Sequence, residues 1–149
     1  MPIQTITQIL LRDLRKLREE ITLYKKEENI WVAVPNISNP AGNLVLHLAG
    51  NLNTYIGATL GNTGYVRQRD LEFSLKNISR AELLEKIDDT SNMISTVMGT
   101  LDDTILSKNY PLIVFEKEMT TEFFLVHLTA HFSYHLGQIN YHRRLLDKG

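Results

Sequence analysis

The chain contains no cysteine among its 149 residues. Disulfide bonds, thiolate nucleophiles and zinc sites built from cysteine are therefore excluded. If thiol chemistry takes place on this protein, a small molecule must supply the sulfur atom.

Long hydrophobic runs and an excess of charge of one sign are missing as well. No apolar stretch approaches the roughly 20 residues that span a bilayer, and the amino-terminal segment becomes charged too early for a signal peptide. The formal net charge of −1 provides no electrostatic attraction to nucleic acid or to an anionic membrane. We therefore expect a cytoplasmic protein with no nucleic-acid or membrane partner, folded as one domain over residues 1–149.

Four segments show the spacing or the caps that are typical of helices. The first predicted helix runs from Ile3 to about Glu28. The second has Asn39 as its cap and Pro40 in its first turn, and ends near Gly61. The third opens with a capping box of Ser79 and Glu82 and ends near Ile105, and the fourth has Thr120 or Thr121 as its cap and ends at Asp147. Residues 29–40 and 107–119 contain prolines and are predicted to be extended connections. The long apolar stripe of the first helix is a candidate surface for self-association.

The fold class predicted from this order is all-α. Four helices of similar length, without an internal repeat, favour a four-helix bundle. The connection between the second and third helices, residues 62–77, is the longest aperiodic stretch and is long enough for a functional loop. Arg67 and Arg69 in this connection are candidates for holding an anionic substrate group, and Asp70 could pair with either. The alternative is that these are solvated loop charges.

A polar stripe runs along the second predicted helix. His47, Asn51, Thr54 and Ala58 follow one another at spacings of four, three and four in an otherwise apolar helix, which indicates a lined cavity. Asn51 is therefore a candidate substrate-binding residue. The alternative is that Asn51 and Thr54 simply face solvent.

Histidines are concentrated on one face of the last predicted helix. At about 100° per residue, five side chains fall within an arc of about 80°; they are His127, His131, His135, Gln138 and His142. Histidines four residues apart on a helix can direct their imidazole nitrogens at one metal ion, and His47 from a facing helix would complete a set of three ligands. Three protein nitrogens leave positions open for water or substrate, as in catalytic sites.

Spacing alone leaves several assignments open. It does not decide between the pairs 127/131 and 131/135. His127 could act as a proton relay one turn from the ligands, or it could be a wall of the pocket, while His142 could lie at a solvated helix end. No carboxylate is obviously placed beside the three histidines as a general base, so catalysis would depend on the metal and on His127.

The last helix also carries a resemblance to a known family. The run AHFSYHLGQINYHRRLL, together with HLAGNLNTYIGATLG on the second helix, resembles the DinB/YfiT-like superfamily of four-helix bundles. That family has one histidine on its second helix and an HxxxH motif followed by GQI on its last. Carried over residue by residue, the resemblance places the metal ligands at His47, His131 and His135. Gln138 takes the family's position just after the ligands, as a packing group or a candidate substrate contact.

The resemblance further implies a divalent metal cofactor, most often nickel or zinc, and a homodimer. Several members resemble S-transferases that use a low-molecular-weight thiol such as bacillithiol or mycothiol. Such a transferase would act on a small-molecule electrophile. Its use of an external thiol suits a chain that has no cysteine of its own. The alternatives are a metal-dependent hydrolase and a dimeric bundle that binds a metal or ligand without catalysis.

Overall fold

The computed structural model describes residues 1–148, and the regular structure in this range is helical apart from two isolated β-bridges. The α-helices are α1 (Pro2–Leu23), α2 (Ala41–Leu52), α3 (Arg69–Ser74), α4 (Arg80–Gly99) and α5 (Thr121–Leu146). The helix α2 continues through a π-helical segment, Asn53–Ala58, into a final turn, Thr59–Gly61. Two 3-10 segments, Glu27–Trp31 and Asp103–Ser107, follow α1 and α4. The all-helical class is therefore confirmed.

The four longest helices share one core. Both α1 and α2 contact α4, and both also contact α5. The apolar stripe of α1 points inward and is buried along its whole length; its residues are Ile3, Ile6, Leu10, Leu14, Leu17 and Ile21. This stripe is consequently not available as the predicted self-association surface. Within residues 1–148, none of the helices combines the length and apolar character needed to cross a membrane.

Two of the predicted helix starts are confirmed by their caps. Ser79 Oγ accepts a hydrogen bond from the backbone N–H of Glu82 at 3.2 Å, and Thr120 Oγ1 accepts one from that of Phe123 at 3.1 Å. Each bond satisfies one of the backbone donors that a helix leaves free at its first turn. The start of α2 was predicted less well, because Pro40 rather than Asn39 is the residue before the helix and no side chain caps it.

The predicted connections contain more helix than their sequences indicated. The helix α1 ends at Leu23, and the segment after it forms a 3-10 turn instead of continuing α1 or extending. Trp31 at the end of that turn is almost fully buried, and its indole N–H donates to the carbonyl of Ile78 at 3.1 Å. Residues 62–77, predicted to be aperiodic, include α3, which packs against α2. This packing brings a side chain of α3 to the histidines.

The π-helical segment widens the end of α2. A π turn changes the pairing of backbone carbonyls, and such turns often occur beside functional sites. The carbonyl of Tyr55 accepts a hydrogen bond from the Tyr110 hydroxyl at 2.6 Å, and that of Thr54 accepts one from the Thr59 hydroxyl at 3.0 Å. Side chains therefore pair with backbone oxygens of the widened turn, two helical turns beyond His47.

Candidate metal centre

The centre lies between α2 and α5, which run antiparallel. The ring of His47 is 5.1 Å from that of His131 and 5.3 Å from that of His135, measured between ring centroids. Tyr55, later in α2, contacts Phe124, earlier in α5, at 5.0 Å. His47 is buried within an apolar helix, whereas the two histidines of α5 are half-buried one turn apart. The structure thus brings together the three histidines that the resemblance pointed to.

Their Nε2 atoms point at a common space. His47 Nε2 lies 3.2 Å from His131 Nε2, and His135 Nε2 also lies 3.2 Å from His131 Nε2. One nitrogen from each ring lies within 4.8 Å of the other two. Three side chains from two helices therefore present ring nitrogens to a region small enough for a single metal ion.

The opposite nitrogens of two rings are held by hydrogen bonds. His47 Nδ1 donates to the carboxylate oxygen Oε1 of Glu72 at 3.1 Å. His135 Nδ1 donates to the amide oxygen Oε1 of Gln138 at 2.7 Å. In a neutral imidazole only one nitrogen carries a proton, so a proton on Nδ1 leaves Nε2 with a lone pair. Both Nε2 atoms are therefore in the form that a metal ion needs.

The environment keeps His131 and His135 uncharged. Burial, followed by the neighbouring imidazoles of His135 and His47, lowers the pKa of His131 from its usual value to about 4. Burial also lowers the pKa of His135, although the hydrogen bond with Gln138 opposes this. At neutral pH these rings are neutral, which leaves their nitrogens free to bind a metal ion.

The residues present fit a divalent metal ion. Two nitrogens bound to a tetrahedral zinc ion at about 2.0–2.1 Å would lie about 3.3–3.4 Å apart. The two separations that involve His131 Nε2 are both 3.2 Å. With His47 and His135 protonated on Nδ1, only His131 could place a proton between the three Nε2 atoms. At least one Nε2 lone pair therefore has no hydrogen-bond donor within the cluster, whereas a metal cation could be bound by all three Nε2 atoms. The set of three imidazoles suits zinc or nickel.

Glu72 corrects the prediction that no carboxylate lies beside the histidines. It is buried on α3, and its carboxylate accepts hydrogen bonds from Arg67 as well as from His47. Burial raises the pKa of Glu72, but the hydrogen bonds from His47 and Arg67 outweigh it and leave the pKa below its usual value. The carboxylate is therefore ionised and engaged on both sides. The sequence had allowed a pairing of Arg67 with Asp70. In the structure Arg67 pairs with Glu72 instead.

The other two histidines of α5 lie outside the cluster. His127 is half-buried against Phe115, at 4.8 Å between ring centroids, and its ring lies 6.2 Å from that of His131. His142 is only 3% exposed, so the alternative of a solvated helix end is wrong. Its Nδ1 accepts from the Tyr24 hydroxyl at 2.6 Å, and its Nε2 donates to the carbonyl of Val32 at 2.8 Å. His142 thus joins α5 to the segment that follows α1.

The remaining candidate residues differ in their exposure. Asn51 is 8% exposed, and its Oδ1 is buried without a hydrogen-bond partner, as is the Oγ1 of Thr54. The alternative that these two side chains face solvent is therefore wrong. Arg69 is exposed, with its guanidinium 5.6 Å from the centroid of the Phe73 ring. That ring lies 5.1 Å from the ring of His47, so the positively charged side chain of Arg69 lies at the edge of the centre.

Comparison with known proteins gives a family but no activity. A family model described as a protein of unknown function, DUF1572, matches residues 4–149. No curated protein matches the chain. Because the match spans all three histidines of the cluster, the centre belongs to the matched region.

Proposed function

We propose that this chain, which belongs to the DUF1572 family, is a metal-dependent S-transferase of the DinB/YfiT-like superfamily, acting in the cytoplasm. In this proposal α1, α2, α4 and α5 form the superfamily's four-helix bundle, and the cofactor is nickel or zinc. The cosubstrate is a low-molecular-weight thiol, and the acceptor is a small-molecule electrophile. The convergence of three Nε2 atoms, two of them with the opposite nitrogen held by a hydrogen bond, is the observation that carries the proposal.

The three histidines would hold the ion and leave part of its coordination sphere open. When bound in such a site, a divalent ion binds a thiol and lowers its pKa, so that a thiolate is available at neutral pH. In the overall reaction the S–H bond breaks and an S–C bond forms. The proton goes to solvent, and the leaving group departs with the electron pair of its bond to carbon.

Residues around the cluster support the binding of a small anionic thiol. Arg69 is exposed at the edge of the centre, where its guanidinium could pair with a carboxylate of the thiol. Asn51 lies one turn after His47 on α2 with an unpaired buried oxygen, which suits an N–H or O–H donor of a bound molecule. Arg67 is less suited to this task, because its guanidinium already pairs with Glu72.

Hydrolysis is less well supported than thiol transfer. A hydrolase of this kind would use a carboxylate to accept a proton from water. Glu72 is the carboxylate in contact with the cluster, and both of its oxygens already accept hydrogen bonds from Arg67, one of them also from His47. We therefore place the hydrolase second, and a bundle that binds metal without catalysis remains an outcome of the tests.

Elemental analysis of the purified protein tests the metal site. We expect about one nickel or zinc ion per chain in the wild type and a loss of that ion in His47→Ala. The variant His127→Gln serves as the matched control, because it changes a histidine of α5 outside the cluster and should keep the ion. Metal content that is low in the wild type and unchanged in His47→Ala would refute the proposed site.

A thiol-consumption assay tests the transferase activity. Protein loaded with nickel or with zinc is mixed with bacillithiol and a chromogenic aryl halide, and the formation of the thioether is followed. We expect turnover by the wild type and none by His131→Ala. Metal-loaded wild type that consumes no thiol would refute the transferase and leave a metal-binding bundle.

The homodimer is also part of the proposal. Because the stripe of α1 is buried, the contact between copies would have to use another surface. Sedimentation of the wild type and of His131→Ala would show whether self-association depends on the metal ligands.

A further inference from the structure

The carboxylate of Glu72 bridges a metal-ligand candidate and an arginine. Its Oε1 is 3.1 Å from His47 Nδ1 and 3.0 Å from Arg67 Nη2, and its Oε2 is 2.8 Å from Arg67 Nε. Glu72 is 6% exposed, and the side chain of Arg67 is 14% exposed. This is a buried, geometrically defined network and not a surface ion pair.

The network determines which nitrogen of His47 carries the proton. A carboxylate only accepts hydrogen bonds, so the nitrogen that faces Glu72 must be the protonated one. A lone pair then remains on Nε2, which faces His131 at 3.2 Å. We propose that Glu72 is a positioning residue that holds His47 in the Nδ1–H form and thereby prepares the centre for a metal ion. This inference rests on the proposed metal site.

Arg67 and Gly50 keep the carboxylate in its place. Arg67 donates from two nitrogens in the paired geometry that suits a carboxylate, which fixes the orientation of both oxygens. Gly50, on α2 one turn after His47, leaves room for the carboxylate, since a Cβ atom there would overlap with Glu72 Oε2. If Glu72 were displaced, Arg67 Nη2, at 3.4 Å from His47 Nδ1, could donate to that nitrogen and favour the opposite protonation.

The first test replaces Glu72 by an uncharged residue of the same shape. In Glu72→Gln the amide has one oxygen for two positions, so its NH₂ group competes for the place beside His47 or beside Arg67. We expect His47 to become a mixture of its two neutral tautomers, Nδ1–H and Nε2–H. The mixture is measured by ¹⁵N NMR of labelled histidine side chains in metal-free protein at pH 7.5. We also expect zinc affinity to fall by about 10- to 100-fold, measured by competition with a chromophoric chelator.

A second variant displaces the carboxylate without removing it. Gly50→Ala inserts a methyl group where Glu72 Oε2 now lies, while alanine favours the helix over glycine. We expect the same change in the His47 spectrum and the same direction of change in zinc affinity. Gly99→Ala is the matched control, because a Cβ atom there would meet nothing within 4 Å. If Glu72→Gln fails to fold, Gly50→Ala decides the question.

The two proposals fail in different ways. A spectrum in which His47 remains wholly in the Nδ1–H form in both variants, with zinc affinity within twofold of the wild type, would overturn the role of Glu72 and leave the metal site standing. A wild type that binds no zinc would overturn the proposed function. The NMR measurement needs no metal, so it would still decide whether Glu72 controls the proton on His47.

Discussion

A metal ion bound at the three histidines would stabilise the folded chain, and removing one ligand should abolish that effect. The unfolded chain has no preformed site, so an ion that binds only the native state adds its binding free energy to the free energy of unfolding. His131 is the ligand to change, because its Nε2 lies 3.2 Å from the Nε2 atoms of both other histidines. His131→Ala would leave His47 and His135 without the ring that links them.

The size of the effect follows from mass action. At a free metal concentration 100 times the dissociation constant, the stabilisation is about 2.7 kcal/mol. For a chain of roughly 150 residues, 1 kcal/mol raises the melting temperature by about 2–4 °C. We therefore expect zinc or nickel to raise the melting temperature of the wild type by about 5–11 °C, and to leave that of His131→Ala within about 1 °C.

The assay compares melting temperatures with excess chelator and with metal for each variant, so that any cost of the substitution itself cancels. His127→Gln is the control on the same helix and should keep the full shift, because its ring lies outside the cluster. An equal rise in His131→Ala and wild type would refute the reasoning. So would a wild type that does not respond to millimolar metal.

Three further predictions concern stability. His142→Phe would leave the Tyr24 hydroxyl and the Val32 carbonyl without their partner. The variant should therefore have a free energy of unfolding about 2–4 kcal/mol lower than the wild type, and a urea titration that shows a loss of less than 1 kcal/mol would contradict this. Burial lowers the pKa of His142 although the hydrogen bond to Val32 opposes it, so below pH 6.5 the unfolded chain binds a proton that the folded chain does not. The metal-free wild type should therefore lose stability as the pH falls from 6.5 towards the folded-state pKa, more steeply than His142→Phe; parallel pH profiles would argue against it. Finally, Ser79→Ala removes the side-chain cap of α4 and should cost about 1 kcal/mol in the same titration, whereas an unchanged midpoint would show that the cap contributes little.

The helices were predictable where a local rule acts alone. The caps at Ser79 and Thr120 depend on residues within one turn; Ser79 was identified directly, and Thr120 was one of two neighbouring candidates. The stripe of α1 was also correct, because its spacing reflects one buried face. The end of α1 was not, since Tyr24 continues the apolar spacing beyond Leu23, whereas the chain leaves the helix there and forms a 3-10 segment that buries Trp31.

The site was predictable only along single helices. The pair His131 and His135 follows from helical spacing, but the choice of this pair over 127/131 required the resemblance and then the packing of α2 against α5. Glu72 could not be found in this way, because it lies 25 positions from His47 on a helix of six residues. The role of His142 was left open, because its partners, Tyr24 and Val32, are more than 100 positions away.

The histidine cluster joins parts of the chain that are far apart in sequence, since His47 and His131 are separated by 84 positions. An ion held there would crosslink α2 and α5 in the folded chain, so neither helix could move away from the other without losing a metal ligand. Opening of α2 would then require release of α5, and amide protons in the two helices would exchange with solvent as one cooperative unit. Withdrawal of the ion would separate their exchange rates again, without any change in the average fold.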